Sequence, residues 1–296
     1  MTEPLNKPLV IVIAGPTAVG KTNLAIKVAQ YFHTEIISCD SRQLFKELNI
    51  GVAKPNSEEL SAVKHHFINS HTIHKDYNAG QYEKECNCTL QTLFEHHNIV
   101  VMTGGTGLYI KSALEGLDPL PLKNEKLRKE LDILLTSKGM PALQEKAENL
   151  GLKPNIKGWD NPQRLIRLIE IEIGRDSLPQ ETNIKRDYNV QYFYINRERE
   201  ALYNRINTRV DNMIKNDLLK EVKGLIPHQN LNALQTVGYK ELFAYFNKDY
   251  TLEFAISKIK QNTRNYAKRQ LTWFRNQGTY IEIQPELEQV LQHIPN

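Results

Sequence analysis

Residues 9–22 read Leu-Val-Ile-Val-Ile-Ala-Gly-Pro-Thr-Ala-Val-Gly-Lys-Thr, and the fold follows from this stretch. Residues 9–14 are an unbroken apolar run of strand length that stops at Gly15-Pro16, which predicts a buried strand ending in a turn. Beyond Lys21, the residues Leu24, Ala25, Val28, Ala29 and Phe32 recur at helical spacing. Residues 15–22 between them satisfy G-x-x-x-x-G-K-[ST] at every fixed position, in the strand–loop–helix context that gives this pattern its meaning. Gly15 and Gly20 let the backbone N–H groups of Pro16's successors, Thr17, Ala18 and Val19, turn inward around phosphate oxygens. The helix N-terminus adds partial positive charge, Lys21 a full one, and the Thr22 hydroxyl is a hard donor suited to Mg²⁺. The loop therefore specifies a phosphate or diphosphate ligand and leaves the reaction open.

Working outward, residues 35–38 and 98–102 read as further strands. The first runs into Asp40-Ser41-Arg42-Gln43 and the second into Thr103-Gly104-Gly105-Thr106-Gly107, with a helix starting near Leu108. Strands alternating with helices predict a parallel α/β sheet, whose ligands sit at the carboxyl ends of the strands. All three loops lie at such ends and should converge. Pro119 and Pro121 mark a change of composition, after which the pattern is helical to about Tyr188. A strand at 190–195, helices over 197–224, 232–246 and 251–276, and a short strand at 279–283 complete the chain. The expected division is 1–117 for the first part of the core, 118–189 for an inserted all-helical subdomain, and 190–296 for the return strand and C-terminal helices.

The 296 residues fit one core with a sizeable insertion. The longest apolar run is far below the roughly 20 residues of a membrane span, and no leader pattern precedes it. Cys39, Cys86 and Cys88 make neither a disulfide framework nor a zinc site, so a cytoplasmic protein with reduced thiols is expected. The net charge of +4 says little, but its distribution says more. Residues 255–275 hold Lys258, Lys260, Arg264, Lys268, Arg269 and Arg275, no acid, and interleaved Tyr266, Trp273 and Phe274. That composition suits a polyanion such as nucleic acid.

Asp40 has several readings. No strand here ends in the metal-holding acid of P-loop ATPases, and Asp40 places a carboxylate on another loop, as metal ligand, ribose contact, general base, or cap of a helix starting at Ser41. His65-His66, His96-His97 and Cys86-x-Cys88 lack partners at metal spacing and are read as surface or packing residues. Trp159 and Trp273 suit packing or base stacking.

A resemblance joins these pieces. GPTAVGKT, SCDSRQLF, IGVAKP, TGGTGLY, Asn161 to Arg167, Arg205-Ile206 with Arg209-Val210-Asp211, Val237-Gly238-Tyr239-Lys240-Glu241 and AKRQLTWF occur in series from about residue 9 to 276. In this order they resemble the tRNA dimethylallyltransferase (tRNA isopentenyltransferase) family. The resemblance implies a P-loop kinase-like parallel sheet with a helical insertion that grips the anticodon stem-loop of tRNA. It implies transfer of a dimethylallyl group from dimethylallyl diphosphate to N6 of the adenosine 3′ of the anticodon, with Mg²⁺. Asp40, Thr17 and Lys21 are then catalytic, Asp40 as the base. Gly15, Pro16, Thr17, Ala18, Val19, Gly20, Lys21, Thr22 and Arg209 hold the diphosphate, and Thr22 the metal. Asp40, Ser41, Arg42, Gln43, Thr106, Arg128, Gln163, Arg164, Leu165, Ile166 and Arg167 match tRNA-contact positions. Arg264, Lys268 and Arg269 supply phosphate contacts. A monomer without membrane attachment is expected. The alternatives from the residues are a small-molecule or nucleoside kinase using the same loop, with Arg128, Arg164, Arg167 and Arg175 as lid, and a non-catalytic RNA-binding module.

Overall fold

The computed structural model describes residues 7–121, 123–177 and 186–294. It divides into two compact units, one of residues 1–116 with 185–296, the other of residues 117–184. The first is built on six strands, β1 (Leu9–Ala14), β2 (Ile36–Ser38), β3 (His65–His66), β4 (Ile99–Gly104), β5 (Asn189–Ile195) and β6 (Ile281–Ile283). Their order across the sheet is β3-β2-β4-β1-β5-β6, with every pairing parallel. β1 lies in the middle, and all six of its residues are buried, as an apolar strand covered on both faces must be. Helices α1 (Lys21–Tyr31), α2 (Ser57–Ala62), α3 (Ala79–Phe94) and α4 (Gly107–Leu114) come before the insertion. α5 (Glu125–Asn149) and α6 (Pro162–Ile173) form it. α7 (Arg199–Lys215), α8 (Leu218–Gly224), α9 (Tyr239–Phe246), α10 (Leu252–Arg275) and α11 (Leu287–Leu291) follow β5. Among the described residues no helix is long and apolar enough to cross a membrane.

The strands read from periodicity fall where expected to within about two residues, but the helix expected over 197–224 breaks at Asp217, whose φ is 66°, into α7 and α8, and that expected over 232–246 becomes a short 3₁₀ turn at Asn232–Leu234 followed by α9 from Tyr239. Residues 44–97 hold structure that the pattern does not announce. β3 is too short to show a period. α3 is announced only by its start, where Asn78 and Gln81 form a reciprocal capping box. The return to the core also begins earlier than residue 190. Arg186 already bonds the Ala113 carbonyl at 3.1 Å and pairs with Glu83 at 2.6 Å. Residues 178–185, read as part of the helical stretch, lie outside the described residues.

The helical unit has its own core of Leu131, Leu143, Ala147, Leu165, Ile166 and Ile169. Its polar centre is Glu170, whose side chain is only 1% exposed. Arg128 meets it twice, Nε to Oε1 at 3.0 Å and Nη2 to Oε2 at 2.7 Å, and Arg167 donates to Oε2 as well. Burial pushes the Glu170 carboxyl upward, but hydrogen bonds from Arg128, the Asn124 N–H and Arg167 outweigh it and hold it at about 2. Glu170→Ala leaves two guanidinium groups facing a void and should cost about 3–5 kcal/mol of this unit's stability, measurable by urea unfolding. The folded carboxyl is depressed, so its contribution is complete above the ordinary carboxylate range and is lost as pH falls through about 2. A variant as stable as the wild type at neutral pH would show that the cluster holds nothing together.

Candidate active site

Three loops meet at the carboxyl ends of β1, β2 and β4, around one cavity of about 1860 Å³ lined among others by Thr17, Lys21, Thr22, Asp40, Gly105 and Arg209. The loop at residues 15–20 turns at Gly20, whose φ of 112° favours glycine, and α1 then starts without a side-chain cap. Its first N–H groups are thus left for a ligand. Lys21 lies along the loop and donates to the Pro16 carbonyl at 2.8 Å. The loop is gripped from outside. Arg197 Nε donates to the Val19 carbonyl at 2.8 Å and Arg205 Nε to the Ala18 carbonyl at 2.7 Å. Arg209 donates to Thr17 Oγ1 and to the Ala53 carbonyl, each at 3.3 Å. Gln270 accepts from the Thr17 N–H at 3.0 Å and donates to the Gly105 carbonyl at 2.8 Å, so one buried amide ties the first loop to the third.

This arrangement concentrates positive charge. Burial, then the neighbouring Arg209, push the Lys21 ammonium down to about 7, with Asp40 opposing them. Burial likewise lowers Arg209, again against Asp40. Cations held out of water with so little compensation form a receptor for a compact polyanion.

Asp40 uses its two carboxylate oxygens differently. Its Oδ1 accepts from the N–H groups of Arg42 at 2.9 Å and Gln43 at 3.3 Å, so it caps the chain that follows it. That chain, residues 41–44, is a turn, so the cap closes a turn and no helix starts at Ser41. Oδ2 has no protein partner among the described residues and Asp40 lines the cavity. Thr106 Oγ1 accepts from the Ser41 N–H at 3.2 Å, joining the second loop to the third. A Cβ at Gly104 would run into the Cys39 carbonyl, so only glycine lets these loops lie together. Gln43 spends its amide N–H groups on the carbonyls of Val52 at 3.2 Å and Ala53 at 3.0 Å. Arg42 lines the same cavity.

The basic face of α10 is present but partly committed. Lys260 pairs with Asp211 at 2.6 Å, an acid that α7 supplies, so the run of uncompensated charge expected from composition is shorter by one. Arg264 bonds Asn207 Oδ1 at 2.8 Å, and Arg264 and Lys268 both sit over the Tyr203 ring. Arg269 is exposed beside Tyr266. Trp273 is a packing residue, since its indole fills the space that the missing Cβ of Gly107 leaves.

Within the helical unit the expected RNA contacts divide. Gln163 and Arg164 are exposed on the first turn of α6. Arg128 and Arg167 are engaged with Glu170. Leu165 and Ile166 are 0% and 3% exposed in the unit's core, which corrects their reading as RNA contacts: apolar side chains on the inner face of α6 pack instead.

Thr22 lines the cavity, and its hydroxyl has no protein partner among the described residues. These residues include no group of three or more His, Cys, Asp or Glu that would hold a metal alone. A single hydroxyl beside the phosphate loop fits Mg²⁺, which keeps waters and commonly takes its remaining ligands from bound phosphates. Of the paired histidines, His66 bonds Glu35 at 2.5 Å, and His65 Nδ1 donates to the Val63 carbonyl at 2.8 Å. Gln270, Arg197 and Glu221 escaped the sequence reading as site-forming residues, because each acts on backbone that is distant in the chain. Only the AKRQ string around Gln270 pointed to one of them.

Residues 43–277 match the family model described as IPP transferase. A tRNA dimethylallyltransferase of Flavobacterium johnsoniae is 44% identical over 96% of both chains, and one of Christiangramia forsetii is 48% identical over 89% of both. Among solved structures, the tRNA isopentenylpyrophosphate transferase of Bacillus halodurans is 32% identical with a TM-score of 0.71, covering 97% of this chain and 94% of that one. A eukaryotic dimethylallyltransferase acting on tRNA is 25% identical with a TM-score of 0.73, covering 94% of this chain and 74% of that one. The chain belongs to the tRNA dimethylallyltransferase (IPP transferase) family.

Proposed function

We propose that the protein transfers the dimethylallyl group of dimethylallyl diphosphate to N6 of the adenosine on the 3′ side of the anticodon in tRNA, in the cytoplasm. The observation that carries this reading is a cradle of buried cations with one carboxylate oxygen left open in the same cavity. An allylic C–O bond breaks readily because the cation is delocalised, and the work left to the protein is to stabilise the departing diphosphate. The N–H groups of the phosphate loop, Lys21 and Arg209 do this in place. Mg²⁺, held by Thr22 and the diphosphate oxygens, would neutralise further leaving-group charge. N6 forms its new bond to carbon while Asp40 Oδ2 takes its proton, the C–O bond breaks, and diphosphate departs with the electron pair.

The target base must leave the anticodon-loop stack to reach such a pocket. Arg42 and the Gln43 oxygen are placed to meet base edges. Arg264, Lys268 and Arg269 suit the RNA backbone, as do Gln163 and Arg164 in the helical unit. Arg264→Ala with Lys268→Ala should weaken tRNA binding and flatten its dependence on log salt by about one unit per lost phosphate contact. An unchanged slope in a filter-binding titration would remove both residues from the interface.

The kinase alternative is not supported: the relatives reported above are named for transfer of an isoprenoid group to tRNA, not of phosphate. Incubating unmodified tRNA with donor labelled in the dimethylallyl group, or with γ-labelled ATP, separates the two. Label should enter tRNA from the prenyl donor alone; label entering from ATP alone would overturn the reading.

A further inference from the structure

The segment at residues 49–54, part of the IGVAKP string, is held in an unusual way. Its N–H groups at Asn49, Ile50 and Gly51 all donate to one carboxylate, Glu221, at 3.2, 2.8 and 3.2 Å. The Tyr239 hydroxyl donates to the same carboxylate at 2.5 Å, and a Cβ at Gly51 would overlap the Tyr239 ring. On the carbonyl side, Gln43 takes Val52 and Ala53, and Arg209 takes Ala53. Ala53 sits at φ 48°, a left-handed conformation that an alanine holds only where its surroundings impose it.

The effect is a loop whose backbone polar groups are largely satisfied by side chains, while Ile50, Val52 and Ala53 line the cavity. Met213 and Val237 line the same cavity. A surface of this kind favours hydrocarbon, because little of its backbone is left seeking water. Arg209 also fixes where it stands, since one guanidinium bonds both Thr17 of the phosphate loop and Ala53 of this segment. A diphosphate seated on the first therefore has its hydrocarbon within reach of the second.

We infer that residues 49–54 form the wall against which the hydrocarbon of the donor lies, that this wall sets the prenyl chain length accepted, and that Glu221 is its positioning residue. The inference rests on the prenyl-transfer reading and adds the basis of donor selection. Glu221 touches no substrate; it acts by fixing the three N–H groups. In Glu221→Gln an amide N–H₂ must face those donors, or one oxygen must serve them all, and the wall loosens.

The test compares kcat/KM for dimethylallyl (C5) and geranyl (C10) diphosphate with an unmodified anticodon stem-loop RNA. Wild type should prefer C5. Val52→Ala, which opens the wall without disturbing its supports, should reduce that preference about tenfold, the scale of a methylene-sized change in an apolar pocket. Glu221→Gln should reduce it similarly, through the donor KM more than through kcat, with the salt slope of RNA binding unmoved. Should Glu221→Gln fail to fold, Val52→Ala still decides. An unchanged C5-to-C10 ratio in Val52→Ala, with transfer by wild type intact, overturns the inference alone. No transfer by wild type with either donor overturns the functional reading, and the inference with it.

Discussion

Asp40→Asn should lower turnover by about 10²–10⁴-fold, the usual contribution of a positioned base, while tRNA affinity and donor KM stay within a few-fold. The geometry makes this a clean substitution. An asparagine oxygen can still accept from the Arg42 and Gln43 N–H groups, so the turn keeps its cap, and the change falls on the oxygen that faces the cavity. N6 of adenine is a weak nucleophile because its lone pair feeds the ring, and a neutral amide cannot take its proton. Asp40→Ala removes the cap as well and should add about 1 kcal/mol of destabilisation, which separates the two jobs of the residue. Single-turnover rates alongside RNA-binding titrations provide the check. If Asp40→Asn lost binding and turnover in equal measure, Asp40 would be an RNA contact and not a base.

Lys21→Met should be the second severe lesion, lowering kcat/KM by about 10²–10³-fold, as removal of one preorganised stabiliser of developing negative charge does. It carries a pH signature that a loss of packing would not. The folded ammonium is held at about 7 against an ordinary 10.5, so the folded state disfavours its charge. Between these values the unfolded chain holds a proton that the folded chain does not, and the stability of the free protein rises with pH. Diphosphate reverses the imbalance by supplying the missing counter-charge, so donor binding takes up a proton and weakens as pH rises above about 7. Calorimetric titration with dimethylallyl diphosphate at about pH 8.5, in buffers of different ionisation enthalpy, should show close to one proton more taken up by wild type than by Lys21→Met. Equal uptake by the two proteins would mean that Lys21 is already charged without ligand.

What the sequence discloses and what it hides divide along one physical line. The phosphate loop, the Asp40 turn and the basic face of α10 are legible because each is a local arrangement, carried by residues within one turn or one helix. The clamps are not. Thr17 and Gln270 are 253 residues apart, Arg197 grips a carbonyl 178 residues away, and Glu221 reaches back 170 to 172 residues to the loop it holds. Their side chains have no local task that a pattern would betray, and only the folded sheet brings them to their partners. The same distance hides the role of Arg128. In sequence it is a free cation matched to an RNA position; in the structure Glu170, 42 residues on, has its guanidinium. Leu165 and Ile166 mislead for the opposite reason. They sit inside a polar motif, and the period of α6 turns them inward.

The central claim, that a cationic cradle releases diphosphate from a five-carbon donor while an adjacent carboxylate frees an RNA amine to capture the chain, is tested most directly by the product. Unmodified tRNA is incubated with dimethylallyl diphosphate and Mg²⁺, digested, and its nucleosides and oligonucleotide fragments are weighed. The account predicts one adenosine heavier by a single dimethylallyl group in place of a hydrogen, located immediately 3′ of the anticodon, and one diphosphate released for each such residue. An unmodified adenosine at that position, or the added mass on another base or on the ribose, would contradict it.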